Sequence, residues 1–326
     1  MKIVVTHPDP QEARHWQQAL QRRLPSSVIE VDAPAQADRH ESVTPACPTD
    51  APACEGARIA VGWKPPADFF ARYPALEVFF CAGAGVDHLL QHPALSASIQ
   101  VIRLEDAGMG SLMADYCLQA LLQISARLPD YRIQQQRARW APLEPLTRAA
   151  MPVGIIGLGV LGLQVARQLQ QAGFTVRGYT RSPRSIDGIE VLHGADQWLR
   201  FLGQSQALIL IAPRTPETED LINARALAAL PRGAWLINVA RGALVVDDDL
   251  LDALDSGQLK GAILDVFREE PLPASHPFWH HPRIQVTPHV SAPTQVEVSA
   301  EQVAANIHRL MRGEALRGVV DRQRGY

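Results

Sequence analysis

At 326 residues the chain exceeds one ordinary domain of about 100–200 residues, so two domains are expected. Its 47% hydrophobic and 20% charged residues describe a globular protein and exclude a disordered one. The formal net charge of −3 leaves no basic footprint for nucleic acid, and no stretch approaches the ~18 apolar residues that suggest a membrane span. The opening MKIVVTHPDP carries too short an apolar run for a signal peptide, so a cytoplasmic location is expected. The run Lys2–Thr6 predicts a strand, and Asp9-Pro10 a helix cap with proline at the first helical position. Trp16, Leu20 and Leu24 then share one face of a helix over 11–24. Further strands are expected over 27–31, 58–62, 76–81 and 100–104, spaced by helices, which implies parallel pairing with right-handed crossovers. Residues 32–56, rich in Ala, Pro, Asp and Glu and without periodicity, read as a surface loop. A helical pattern over 109–128 repeats at Leu112, Tyr116, Ala120 and Ile124, and residues 134–150 read as irregular. A second series follows, with strands over 153–157, 175–180, 207–212, 234–240, 261–266 and 284–287, a helix over 161–172 and a closing helix over 294–312. Cys47, Cys54, Cys81 and Cys117 have neither CxxC nor zinc-ligand spacing; reduced thiols and no metal site are expected.

The strongest local signal is Gly154-Ile155-Ile156-Gly157-Leu158-Gly159-Val160-Leu161-Gly162. Taken alone, the glycines are compatible with a structural turn. Here GxGxxG follows an apolar strand and opens an amphipathic helix, the context that points to dinucleotide binding. Gly157 permits the tight turn, Gly159 the approach of a pyrophosphate, and Gly162 the close packing of helix on strand. The helix N-terminus offers N–H groups and a positive dipole end to phosphates. An NAD site ends its second strand with Asp or Glu on the ribose 2′-hydroxyl, about 20 residues on. That strand ends here in Thr180-Arg181-Ser182-Pro183-Arg184, with no acid at its tip. Guanidinium groups pair with a 2′-phosphate that an acid would repel, so NADPH is expected, with NADH weaker. The alternative is a solvated basic loop.

Three polar residues fall at the carboxyl ends of expected strands: Arg241, Asp265 and His289. Open parallel sheets bind ligands at those ends. Arg241 is suited to hold a carboxylate bidentately, and His289 to give a proton near neutrality. Glu270 follows in the loop FREEPLP, where pairing with His289 would favour the imidazolium. Each residue alone reads equally as a surface or packing residue; the combination after a nucleotide motif points to chemistry.

Several long ordered segments carry a wider resemblance: CAGAGVDHL (81–89), GIIGLGVLG (154–162), IAPRTPETEDLIN (211–223), LINVARGALVVDDDLLDALDSGQLKGAILDVFREEPLP (236–273) and VTPHVSAPT (286–294). With these, nearly the whole chain resembles the D-isomer-specific 2-hydroxyacid dehydrogenases. The resemblance implies an α/β fold of two Rossmann/flavodoxin-like doubly wound parallel-sheet domains with the active site in the cleft between them. The substrate domain would be discontinuous, 1–108 plus 291–326, and the NADPH domain would span 109–290. By the same resemblance Arg241, Glu270 and His289 are the catalytic set, and Asp265 orients the nicotinamide carboxamide. Val160, Leu161, Pro213, Val239, Ala240 and Ser291 join the glycines, Thr180, Arg181, Ser182 and Arg184 as cofactor contacts. Ala84, Gly85 and Val86, beside Gly83, match a loop whose N–H groups receive the substrate carboxylate, although a tight strand-to-helix turn explains the same glycines.

Within the family, LEDAGMG (104–110), the Trp140-Ala-Pro-Leu stretch, Tyr179–Arg184 and the terminal VDRQRGY resemble most the branch that reduces glyoxylate and hydroxypyruvate. That branch implies a small 2-oxo acid substrate and a homodimer joined partly through residues 109–145. Trp63 resembles an aromatic beside its substrate pocket, and Trp140 one that reaches a neighbouring subunit's site; either tryptophan could instead simply pack. Rival readings are a sister dehydrogenase of phosphoglycerate, formate or D-lactate type, for which Lys64 and Arg103 give thin support, and a dinucleotide-sensing corepressor.

Overall fold

Parallel strands buried on both faces need continuous apolar runs, and the computed structural model builds two such sheets from the runs in this chain. It describes residues 1–32 and 56–326, so most of the 32–56 loop, with Cys47 and Cys54, lies outside the described residues. The chain divides into two compact units, Met1–Gly108 with Thr294–Tyr326, and Met109–Pro293.

The first unit holds five parallel strands, β1 (Lys2–Thr6), β2 (Val28–Val31), β3 (Ile59–Gly62), β4 (Val78–Cys81) and β5 (Gln100–Ile102), in the order β2-β1-β3-β4-β5. Between them lie α1 (Pro10–Arg23), α2 (Phe69–Arg72) and α3 (Asp87–Leu90). The Asp9 side chain accepts from Gln11 N at 2.8 Å and Pro10 opens α1, as the capping residues predict. Ile3, Leu20, Phe69, Phe79 and Phe80 are fully buried in its core. At the end of β2, buried Asp32 accepts from Tyr73 Oη at 2.9 Å and pairs with Arg72, tying the strand's exit to α2.

The second unit begins with α4 (Met109–Ser125) and α5 (Leu128–Gln136). The single helix expected over 109–128 therefore ends early: Arg127 takes a left-handed φ of 62°, and the chain restarts with Pro129 in the first turn of α5. The buried face of α4 is Met113, Cys117, Ala120, Leu121 and Ile124, rotated from the expected 112/116/120/124 stripe. The irregular stretch begins after Gln136 rather than at 134.

Seven parallel strands follow: β6 (Val153–Ile156), β7 (Val176–Thr180), β8 (Glu190–His193), β9 (Ala207–Leu210), β10 (Ala234–Asn238), β11 (Leu259–Leu264) and β12 (Ile284–Val286). Their order is β12-β11-β10-β9-β6-β7-β8. Helices α6 (Val160–Gln171), α7 (Gly194–Gly203), α8 (Ala224–Ala229) and α9 (Asp247–Asp255) lie between them, and α6 packs on α4. The chain returns to the first unit for α10 (Val296–Met311), which packs on α1. In the seven-stranded sheet the order reverses between β6 and β9, the switch point at which doubly wound sheets bind ligands. Among the described residues, no helix is long and apolar enough to cross a membrane.

Candidate active site

The glycine turn stands at the switch point. Gly157 has φ +96°, and a Cβ there would lie 2.8 Å from Ala212 N, in the loop leaving β9. A Cβ on Gly162 would lie 1.9 Å from Gly157 O, so α6 packs against the turn only because residue 162 has no side chain. Gly159 differs: a Cβ there meets nothing within 4 Å, although it caps α6. The chain does not use that space itself, and the first turn of α6 aims N–H groups that lack intrahelical acceptors towards it. An open, N–H-lined cradle above an essential turn fits a pyrophosphate. Val160 is 41% exposed at the helix start, and Leu161 is half-buried against the core.

At the carboxyl end of β7, Thr180 Oγ1 donates to Ser182 O at 2.8 Å, closing a short turn, and Arg181 and Ser182 are exposed. No carboxylate stands at this tip. The Arg184 guanidinium donates to Leu158 O inside the glycine turn, so it braces that turn besides lying in the basic loop. Gly178 makes room for Leu158: a Cβ there would lie 2.0 Å from the leucine's Cδ1. Pro213, at the far wall, is exposed, and its carbonyl accepts from Thr218 Oγ1 at 2.7 Å.

Arg241, Asp265 and His289 follow β10, β11 and β12, three adjacent strands, so their backbones leave the same edge of the sheet. Asn238, at the end of β10, shapes the first turn. Its side chain accepts from Ala240 N at 3.1 Å and donates to Arg241 O at 2.9 Å, and with Val239 and Ala240 it is buried. Arg241 Nη1 donates to Ala240 O at 2.7 Å.

Asp265 is fully buried, and its carboxylate gathers the loop after β12. Thr287 Oγ1 donates to Oδ1 at 2.6 Å, Val290 N to Oδ1 at 2.9 Å and Ser291 N to Oδ2 at 2.8 Å. A carboxylate has about four acceptor positions, so roughly one remains for a further donor. Tyr116, on α4, hydrogen-bonds Thr287 Oγ1 at 2.6 Å, and burial pushes its hydroxyl up to about 12. Burial likewise pushes the Cys117 thiol up, which leaves it an inert core residue.

This scaffold sets His289 in place. Its N–H donates to Asp265 O at 2.8 Å, and its backbone takes a left-handed φ of 55°, uncommon outside glycine. Its Nδ1 lies 2.8 Å from Glu270 Oε2, while Glu270 Oε1 accepts from Phe267 N at 3.0 Å. The carboxylate is thus fixed at one end by backbone and meets the imidazole with the other. The histidine side chain is 43% exposed and its partner 25%, so the pair is open to a ligand.

Asn238, Thr287 and Tyr116 were not among the expected site residues. Only the position of Asn238, three residues before Arg241, carries a local signal; Tyr116 and Thr287 meet across 171 residues of sequence.

Within the first unit, the loop 82–86 is tied down by its neighbours: Leu104 N donates to Gly83 O at 3.1 Å and Thr294 Oγ1 to Ala82 O at 2.9 Å. Trp63 lies against this loop, and a Cβ on Gly83 would sit 2.5 Å from its ring. The same ring meets His88 with centroids 4.0 Å apart. Glycine at 83 is therefore needed to seat Trp63. Trp140 is 94% exposed, so it does not pack within its own chain. It borders a groove of about 570 Å³ with Tyr131, Gln134 and Arg139, which none of Arg241, Glu270 and His289 lines.

The seven-stranded sheet is doubly wound, as in the dinucleotide-dependent dehydrogenases, and Arg241, the Glu270–His289 pair and buried Asp265 stand beyond the ends of three of its adjacent strands. Residues 118–291 match the family model described as D-isomer specific 2-hydroxyacid dehydrogenase, NAD binding domain, and the chain belongs to that family. It is 41% identical, over the full length of both chains, to the glyoxylate/hydroxypyruvate reductase A of Serratia proteamaculans (strain 568). Among solved structures, it resembles a D-isomer specific 2-hydroxyacid dehydrogenase from Xanthobacter autotrophicus Py2 in complex with NADPH and MES, with TM-score 0.89 and 37% identity covering 99% of each chain. It also resembles an NADPH-dependent glyoxylate/hydroxypyruvate reductase from Sinorhizobium meliloti in complex with NADP and sulfate, with TM-score 0.88 and 34% identity covering 100% of this chain and 99% of that one.

Proposed function

We propose that this protein is an NADPH-dependent reductase of small 2-oxo acids, converting glyoxylate to glycolate and hydroxypyruvate to D-glycerate. The observation that carries the reading is the Glu270–His289 pair, 2.8 Å apart and partly open, on a strand edge shared with Arg241. The acid-free tip at Thr180–Arg184 supports the choice of NADPH over NADH, as do the two solved structures named above, bound to NADPH and to NADP. The 157–162 turn and the Thr180–Arg184 loop would hold NADPH, which when bound would supply the hydride for the substrate's C2.

Arg241 anchors the substrate carboxylate and polarises the adjacent carbonyl. The N–H groups of Ala84, Gly85 and Val86 take part in holding the carboxylate, and Trp63 restricts the acid's size. Glu270 accepts a hydrogen bond from Nδ1–H of His289, which fixes the ring and leaves Nε2–H of the imidazolium as the donor. His289 passes that Nε2 proton to the carbonyl oxygen as negative charge develops there. The product is the 2-hydroxy acid, and the neutral imidazole regains its proton from solvent. Asp265, with Ser291, Val239, Ala240 and Pro213, would hold the nicotinamide end of the cofactor. The protein acts in the cytoplasm as a homodimer joined partly through residues 109–145, where Leu122, Leu128 and Trp140 are exposed, with Trp140 reaching the neighbouring subunit.

His289→Asn should lower kcat by about 10²–10⁴-fold, the usual worth of a positioned acid, with NADPH binding retained. Arg241→Ala should lower kcat/KM for the 2-oxo acid while leaving NADPH affinity unchanged. Turnover by either variant close to wild type would remove that residue from the chemistry. Sedimentation as a monomer at micromolar concentration would remove the dimer.

A further inference from the structure

Two loops carry the proposed chemistry, and one exposed side chain joins them. Arg241 opens a tight 3₁₀ turn, Gly242–Leu244, that leads into Val245. Glu270 is held through Phe267 N, in the loop after β11. The two loops touch backbone to backbone: a Cβ on Gly242 would lie 1.9 Å from Phe267 C and 2.2 Å from Arg268 N. Arg268 follows Phe267 directly, and its guanidinium reaches back over the first loop. Nε donates to Val245 O at 3.0 Å, and Nη2 to Val245 O and, at 3.4 Å, to Ala243 O. The same group pairs with Asp220, and with Asp247 at 3.7 Å. Asp220 N in turn donates to Ala243 O at 3.0 Å, so the acid is itself fixed to the Arg241 turn.

We propose that Arg268 is a positioning residue that clamps the Arg241 turn to the Glu270 loop, fixing the carboxylate anchor relative to the Glu270–His289 proton donor. Carbonyls alone bind a guanidinium weakly where water competes. Asp220 supplies a charge-assisted bond and Asp247 a longer ion pair at 3.7 Å, and together they hold the planar fork in one orientation. Its geometry matters because the anchor and Glu270 leave the sheet after paired strands, and beyond the strand ends contacts between their loops set the spacing. A lysine could keep one charge contact but cannot span Val245 O, Ala243 O and Asp220 together. None of these contacts involves the glycine turn or the Thr180–Arg184 loop, so the phosphate end of the cofactor, which carries most of its charge, should be held as before.

The inference rests on the catalytic roles proposed above for Arg241, Glu270 and His289. The test compares wild type, Arg268→Gln and Arg268→Lys by steady-state kinetics with NADPH and glyoxylate, with NADPH titration and thermal unfolding alongside. A displacement of about 1 Å at a reacting group costs on the order of 10²-fold, so Arg268→Gln should lower kcat by about 10- to 100-fold. KM for glyoxylate should rise, NADPH affinity should stay within about twofold, and Arg268→Lys should recover part of the loss. Wild-type turnover with Arg268→Gln unchanged in kcat and KM overturns the clamp and leaves the catalytic reading standing. Loss of NADPH affinity in step with turnover and unfolding temperature also overturns it, showing a purely structural role. An inactive wild type, tested on glyoxylate and hydroxypyruvate, overturns the catalytic reading and the clamp with it.

Discussion

Tyr116 illustrates how a single residue serves the site without touching a ligand. It hydrogen-bonds Thr287 at 2.6 Å, which in turn donates to Asp265, the carboxylate that holds the His289 loop. Burial raises its pKa from the ordinary 10.0 to about 12, with nearby Asp265 adding a smaller push in the same direction. A raised value means the folded state holds the proton more tightly than the unfolded chain. The stability tied to this proton is therefore fully present below pH 10 and is lost as the pH rises through about 12. Phenolate absorbance of the native protein should show a tyrosine titrating near pH 12 that disappears in Tyr116→Phe. An unchanged titration in that variant would mean the buried tyrosine is another one. Arg181 is the residue for cofactor choice: Arg181→Ala should weaken NADPH by about tenfold or more, as loss of a charge-assisted bond implies, and barely affect NADH. Equal weakening of both would show that Arg181 does not read the 2′-phosphate.

At the scale of elements, the strand–turn–helix unit β6–α6 gives two glycines different duties. Gly162 lies against Gly157 O at a distance that no side chain tolerates, whereas Gly159 faces open space. Gly162→Ala should therefore destabilise the fold by about 1–3 kcal/mol through overpacking. Gly159→Ala, with φ −69° and room for the methyl, should change stability by about 0.5 kcal/mol or less. Yet Gly159→Ala should weaken NADPH, because the methyl would occupy the phosphate cradle. Thermal unfolding and NADPH titration of both variants check this; undiminished NADPH binding by Gly159→Ala would sink the pyrophosphate assignment. Elements also show what the sequence could tell. Strands such as Ala207–Leu210 and Ala234–Asn238 were legible because both of their faces are buried, so their residues run apolar up to the terminal Asn238. The edge strand Glu190–His193 was not, since it is short, largely uncovered and begins with a charge. The break between α4 and α5 had a signal, Pro129, but apolar residues on both sides of it extended the helical pattern past the true end at Ser125.

For the whole molecule, the ordered motifs carried most of the functional information. GxGxxG, the acid-free β7 tip and the polar residues after β10, β11 and β12 could be placed because parallel topology sends every strand's carboxyl end to one edge. What stayed hidden were contacts between distant segments: Tyr116 with Thr287, Arg268 with Val245, Asp265 with the loop after β12. Such pairs depend on tertiary packing, and no local pattern announces them. The central claim is the reduction of small 2-oxo acids with NADPH. The most direct test follows oxidation of NADPH and of NADH by the purified protein with glyoxylate and with hydroxypyruvate. The account predicts rapid oxidation of NADPH with both acids and much slower oxidation of NADH; no oxidation of either cofactor with either acid would contradict it.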